Sequence, residues 1–248
     1  MSTLGQRLRV NAKPVSVAVP HYAQSLDFTC GPSSLLMVMK ALDPAAEFDR
    51  TRELILWKEA TTMYMGGPQH GGSSALGLAI AADRRGFEAE VLVNHRGVLL
   101  ADRGRTKDRR EVMRLLHEAD LAEAEARGIP IDYREMGVAE LEERFRAGWL
   151  PIVLVTTLYV HGDDVAHWVV VTGFDAEAVY INDPWVDRKR GKTPADMTNL
   201  RIPVDEFVNM AAVGKKNERS VVLVRRRDGA SLARDAAPAP TAELKRSQ

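Results

Sequence analysis

Two hydrophobic rhythms divide the chain. Over residues 31–42 (GPSSLLMVMKAL), Leu35, Leu36, Met39 and Leu42 fall on one stripe at helical spacing, and Pro32 sits in the first turn, where its missing N–H costs nothing. Residues 50–60, 73–85, 107–127 and 138–147 keep a helical pattern, and Gly86, Gly128 and Gly148 follow three of these segments as stops. The later half changes period. Residues 89–93, 152–157, 168–172, 178–181 and 220–224 are short, rich in β-branched side chains and bounded by Gly, Pro, Asn or Asp, which predicts strands. The last four predict an antiparallel meander, with a turn at residues 175–177 joining two of them. Helices first and an antiparallel sheet afterwards is an α+β layout, with the N-terminal helices packed on a C-terminal sheet.

The pattern also sets boundaries. Residues 1–17 read as an N-terminal extension, 18–226 as one domain with a charged helical insertion at about 94–134, and 227–248, which mix Ala, Pro and charge without an apolar period, as a mobile tail. The first twenty residues lack the apolar core of a signal peptide, and no segment approaches the ~20 apolar residues of a membrane span. A cytoplasmic protein without a membrane partner is the expectation.

Composition narrows the chemistry. Of 248 residues, 45% are apolar and 27% charged, enough to build a sizeable core. The 34 basic and 34 acidic side chains cancel, so nothing draws the whole molecule to nucleic acid. One cysteine excludes an internal disulfide and a cysteine-rich metal cage, leaving Cys30 as core filler or as a reactive group.

Cys30 immediately precedes the first predicted helix, where unpaired N–H groups and the positive end of the dipole favour a thiolate. A thiolate nucleophile needs a proton partner, and histidine suits the role. Of six histidines, His117 lies in a charged helix and reads as solvated, whereas His21 and His95 border loops and read as structural. His167 opens an apolar strand, and the next strand ends in Asn182-Asp183-Pro184. A hairpin between the two brings His167 to Asp183, which would fix the imidazole tautomer and leave its other nitrogen for the thiol. Gln24, six residues before the cysteine, carries an amide NH2 that could join the Cys30 N–H in holding an oxyanion. Taken singly, each residue has a plainer reading, as a small core thiol or as common turn chemistry. Their joint occurrence in this order favours an active site.

The blocks Gln24…Cys30-Gly31-Pro32, His167-Trp168-Val169-Val170-Val171 and Asn182-Asp183-Pro184 resemble those of the peptidase C39-like family, a branch of the papain-like cysteine peptidase fold. The 137 residues between Cys30 and His167 also fall in the interval of about 130–150 seen in papain-type enzymes. The resemblance spans about residues 18–226 and implies Cys30 as nucleophile, His167 as acid/base, Asp183 as orienter and Gln24 as oxyanion donor. Residues 27–32 (DFTCGP) and 54–62 (LILWKEATT) are similar to stand-alone bacterial members, some of which are fused to an acetyltransferase domain. The best-described members are N-terminal domains of membrane exporters that cut leader peptides after a double glycine. This sequence carries neither membrane spans nor a P-loop, so leader cleavage coupled to export is not implied.

The implied function is a cysteine hydrolase acting on a peptide or amide bond through an acyl-enzyme. The alternatives are acyl transfer or transpeptidation from the same intermediate, and a catalytically inactive peptide-binding domain. No cofactor is expected. The glycine-rich loop at 63–74 (MYMGGPQHGGSS) matches neither phosphate-binding fingerprint and reads as a cleft rim, and His161-Gly-Asp-Asp164 is a weak metal signal that would compete for His167, so no metal is expected. Substrate identity and oligomeric state are not legible.

Overall fold

The computed structural model describes residues 13–63 and 70–227. The tail expected at 227–248 and most of the extension expected at 1–17 lie outside these residues, as does the centre of the glycine-rich loop. In chain order the elements are β1 (Val15–Ser16), α1 (Cys30–Leu42), α2 (Arg50–Ala60), β2 (Thr61–Met63), β3 (Gly72–Ser73), α3 (Ala75–Asp83), β4 (Phe87–Val93), α4 (Lys107–Ala126) and β5 (Ile131–Asp132). They continue with α5 (Val138–Arg146), β6 (Leu150–Thr156), α6 (Leu158–His161), β7 (Ala166–Phe174), β8 (Ala178–Asn182), β9 (Leu200–Pro203), α7 (Val204–Met210) and β10 (Ser220–Arg226).

Helix starts follow side-chain chemistry. Asp49, Ser74 and Thr106 each accept the N–H three residues on, at 2.9, 3.0 and 3.2 Å, and so cap α2, α3 and α4. α1 has no such cap, so the N–H groups of its first turn, at Cys30, have no side-chain acceptor. The turn predicted at 175–177 is an Asx turn: Asp175 Oδ1 accepts the N–H groups of Glu177 and Ala178, both at 2.8 Å.

The main sheet runs β5-β4-β10-β6-β7-β8-β9, with β1 also pairing β7. β6 to β9 are consecutive antiparallel neighbours, as the hydrophobic pattern predicts for 152–181. The final strand departs from a simple meander. β10 returns to lie antiparallel between β4 and β6, so a strand from the helical half enters the sheet, and the short β5 adds to β4 in parallel. A fully apolar strand such as Val-Val-Leu-Val must be covered on both edges and both faces, and its pattern does not say by which neighbours. β1 takes the side of β7 beyond the end of β6, pairing Val15 with Phe174 and Ser16 with Gly173. A Cβ on Gly173 would stand 2.8 Å from the Val15 carbonyl oxygen, so only glycine allows this approach.

α1 packs on β6 and β7 through a stripe that includes the fully buried Leu35, Leu36 and Val38. α3 lies on β4 and β10, and α4 rests on α3 with Met113 and Ala124 buried. No helix among the described residues is long and apolar enough to cross a membrane.

Candidate active site

The cysteine opens α1, and the helix is tied to the strand that carries His167. Ser34 donates from its hydroxyl to the Trp168 carbonyl at 3.0 Å, which sets the height of the helix against β7. Gly31 makes that contact possible. A Cβ there would lie 2.9 Å from Ser73 Cβ and 3.2 Å from the Trp168 ring. Gly31→Ala is therefore expected to cost about 1–3 kcal/mol by overpacking, seen as a lower denaturant midpoint at unchanged slope. An unchanged midpoint would show that α1 can lift without penalty.

His167 lies in β7 opposite Val155 of β6, and Asp183 directly follows β8. His167 Nε2 donates to Asp183 Oδ1 at 2.7 Å, which leaves Nδ1 to meet the thiol. Both side chains are buried, and Cys30 is 8% exposed. The thiol stands close enough to the ring to act on its charge. Burial alone would lower the His167 pKa, but the charge of Asp183 and then the thiol, with the hydrogen bond to Asp183, reverse this and raise it to about 10. Burial opposes the charge on Asp183 too, yet His167 and His161 hold its carboxyl well below the usual carboxylate range.

Asp183 is fixed from all sides. Its N–H donates to the Met197 carbonyl at 3.0 Å, and Oδ1 also accepts the Trp185 N–H at 2.8 Å. The neighbouring Asn182 donates to the Val19 carbonyl at 2.9 Å and accepts the Asn199 N–H at 2.8 Å. His21 Nε2 bonds to the Asp183 carbonyl at 2.7 Å, a structural part like the one its loop position predicts. Asp183 Oδ2 receives a second imidazole: His161 Nε2 lies 2.8 Å away. The sequence marks His161 as no more than one histidine of six, with a weak metal signal. The signal for its actual place is slight, because it stands in the β6–β7 connection, on the same connection that feeds His167.

The structure brings Cys30, His167 and Asp183 together and sets Gln24 at the rim. The Gln24 N–H donates to the Pro184 carbonyl at 2.8 Å, which keys its loop to the Asp183 segment. Its side-chain amide gives one N–H to the Leu26 carbonyl at 2.8 Å, leaving the second hydrogen of the NH2 group for a ligand. Gln24, His161 and His167 line a cavity of about 200 Å³. Cys30 lines an adjoining cleft of about 670 Å³, walled by Leu26, Phe28, Leu154 and Trp168 and sharing Asp27, Val165 and Ala166 with that cavity. His70, from the glycine-rich loop, packs on Phe28 in that cleft with the rings tilted at 45°. His117 is half-buried and lines a small separate cavity with His95, and so is less solvated than its charged helix predicts. Among the described residues no group of three or more His, Cys, Asp or Glu side chains is arranged to hold a metal ion.

A family model described as the Peptidase_C39 like family matches residues 19–225. Among solved structures, a candidate C39-like peptidase from Bacillus anthracis is 15% identical, with 86% of this chain and 98% of that chain covered and a TM-score of 0.50. A double glycine motif protease from an AMS/PCAT transporter, in complex with the leader peptide, is 18% identical over 87% of this chain and 99% of that one, at a TM-score of 0.42. The peptidase domain of Streptococcus ComA, a bi-functional ABC transporter involved in a quorum sensing pathway, is 14% identical over 88% of this chain and all of its own length, at 0.39. A search of curated proteins finds no match.

Proposed function

The chain belongs to the Peptidase_C39-like family and has its papain-like α+β fold, and from that premise we propose that it is a cysteine hydrolase cleaving a peptide or amide bond through a Cys30–His167–Asp183 triad. The single observation that carries this reading is the geometry of His167, clamped on one nitrogen by a buried carboxylate and facing an uncapped helix terminus that presents a thiol on the other. The buried carboxylate favours the protonated imidazole, which is the proton partner a nucleophilic thiol requires.

Attack of the Cys30 sulfur on the scissile carbonyl forms the C–S bond and an oxyanion, to which the Cys30 N–H and the spare Gln24 N–H donate hydrogen bonds. His167 delivers its proton to the departing amine as the C–N bond breaks. The imidazole, now neutral, takes a proton from water, the hydroxide adds to the thioester, and the acid leaves as the C–S bond opens. Asp183 stays ionised throughout, holding the tautomer and compensating the imidazolium.

The test is the pH dependence of iodoacetamide labelling. Wild type is expected to alkylate rapidly at pH 6 and to vary little up to neutral pH, whereas in His167→Ala the rate should track an ordinary thiol, rising towards a midpoint of about 8.5. Coincident profiles for the two proteins would remove the ion pair and the mechanism with it.

A further inference from the structure

Glu53 is a carboxylate with no solvent exposure that the mechanism leaves unused. It lies in the first turn of α2, where the helix dipole favours a negative charge. Its partners are four neutral donors, all from the segment that carries the candidate nucleophile. The Tyr22 hydroxyl donates to Oε2 at 2.9 Å, and Oε1 accepts the Ser25 N–H at 2.8 Å, the Thr29 hydroxyl, and the Ser33 hydroxyl at 3.3 Å. Burial and the charge of Glu53 push the Tyr22 phenol above its ordinary range, which keeps it a donor.

These four donors bracket the chemistry. Tyr22 and Ser25 flank Gln24 in the chain, and Thr29 and Ser33 lie on either side of Cys30. The Thr29 hydroxyl also accepts the Leu26 N–H at 3.3 Å, and Leu26 is the residue whose carbonyl holds the Gln24 amide. The loop is thus pinned from one side by Glu53 and from the other by the Pro184 carbonyl, which accepts the Gln24 N–H. We infer that Glu53 is a positioning residue for the reaction: it folds residues 22–33 around one carboxylate so that the Cys30 N–H and the Gln24 amide converge on the same oxyanion.

This inference rests on the peptidase reading, but its own prediction is separable. Glutamine keeps the shape and can pair with all four groups: its oxygen accepts from Ser25, Thr29 and Ser33, and its NH2 donates to the Tyr22 oxygen, whose own hydrogen turns away. Leucine keeps the bulk and satisfies none. E53L is therefore expected to lose turnover on the order of 10²-fold, as a misplaced oxyanion site does, with KM little changed and Cys30 alkylation slowed. E53Q should keep most of both.

That split between kcat and KM, and the rescue by glutamine, would not follow from a role in stability alone. Folded E53L with wild-type turnover and alkylation overturns the inference, and so does E53Q as impaired as E53L. If E53L does not fold, Thr29→Val removes one donor next to the thiol. It should lower turnover by about tenfold and be restored by Thr29→Ser, and wild-type turnover in Thr29→Val overturns the inference equally. Failure of the peptidase reading shows itself elsewhere, as loss of the His167 dependence of alkylation in the otherwise unaltered protein. The Glu53 comparison is then read on the alkylation rate itself, which must still fall in E53L.

Discussion

Cys30→Ala is expected to abolish peptide hydrolysis, with turnover falling on the order of 10⁶-fold, as removal of the nucleophile does in triad proteases. Cys30 is the only cysteine of the chain, so no second thiol can substitute. The nearby hydroxyls are committed elsewhere: Ser34 to the Trp168 carbonyl, Ser33 and Thr29 to Glu53. Ser73 lines the same cleft as Cys30 with its hydroxyl unpaired, and among the described residues no hydrogen bond joins it to an imidazole that could activate it. Alanine suits the first turn of a helix, so the protein should fold and still bind substrate. Mass spectrometry of the protein incubated with an activated ester should show an acyl adduct in wild type and none in the variant. Undiminished hydrolysis by Cys30→Ala would sink the proposed chemistry, and retention of a biological role without hydrolysis would favour a peptide-binding domain.

Asp183→Ala is expected to reduce turnover on the order of 10⁴-fold while also weakening the fold. The variant strips the acceptor from His167, His161 and the Trp185 N–H inside a site where Asp183 is only 1% exposed. Each orphaned donor costs about 1–3 kcal/mol, less whatever water can recover. The pH dependence of stability supplies a sharper check. The Asp183 carboxyl is depressed in the folded state, so its contribution is present above the unfolded value of about 3.9 and fades as pH falls through the folded one. His167 is raised to about 10, so its contribution is complete below the unfolded value of about 6.5 and is lost as pH climbs from there through 10. In the proposed ion pair the imidazole gains the proton that the thiol gives up, so folding takes up no net proton between their unfolded values of about 6.5 and 8.5; the wild-type urea midpoint should be highest in that window and decline above it, and Asp183→Ala should flatten that decline. A constant gap between the two proteins from pH 6 to 10 would show that the carboxylate and imidazole are not coupled.

Much of this arrangement is local, and what is local can be read from the chain. The stripe Leu35, Leu36, Met39, Leu42 specifies a helix because its partner surface can be any apolar sheet, and placing Cys30 at its start needs only that helix. The pairing of His167 with Asp183 is legible for a similar reason: β7 and β8 are joined by a short Asx turn, so their register is set by neighbours in sequence. The second imidazole on Asp183 and the four donors on Glu53 were not legible. His161 reaches Asp183 only once the β6–β7 connection has folded, and Glu53 looks from its spacing like any polar residue of a surface helix.

The chain by itself determined the α+β composition, the thiol at a helix terminus and the hairpin that carries His167 and Asp183. Tertiary structure alone decided that β10 would lie between β4 and β6, that Ser34 would fix α1 to the His167 strand, and that Glu53 would gather residues 22–33. The division has a physical cause. Periodicity and turn chemistry act over a few residues and leave a mark at each position. A buried hydrogen bond between distant segments instead depends on which surfaces the core brings into contact, a collective result of packing that no single stretch of sequence encodes.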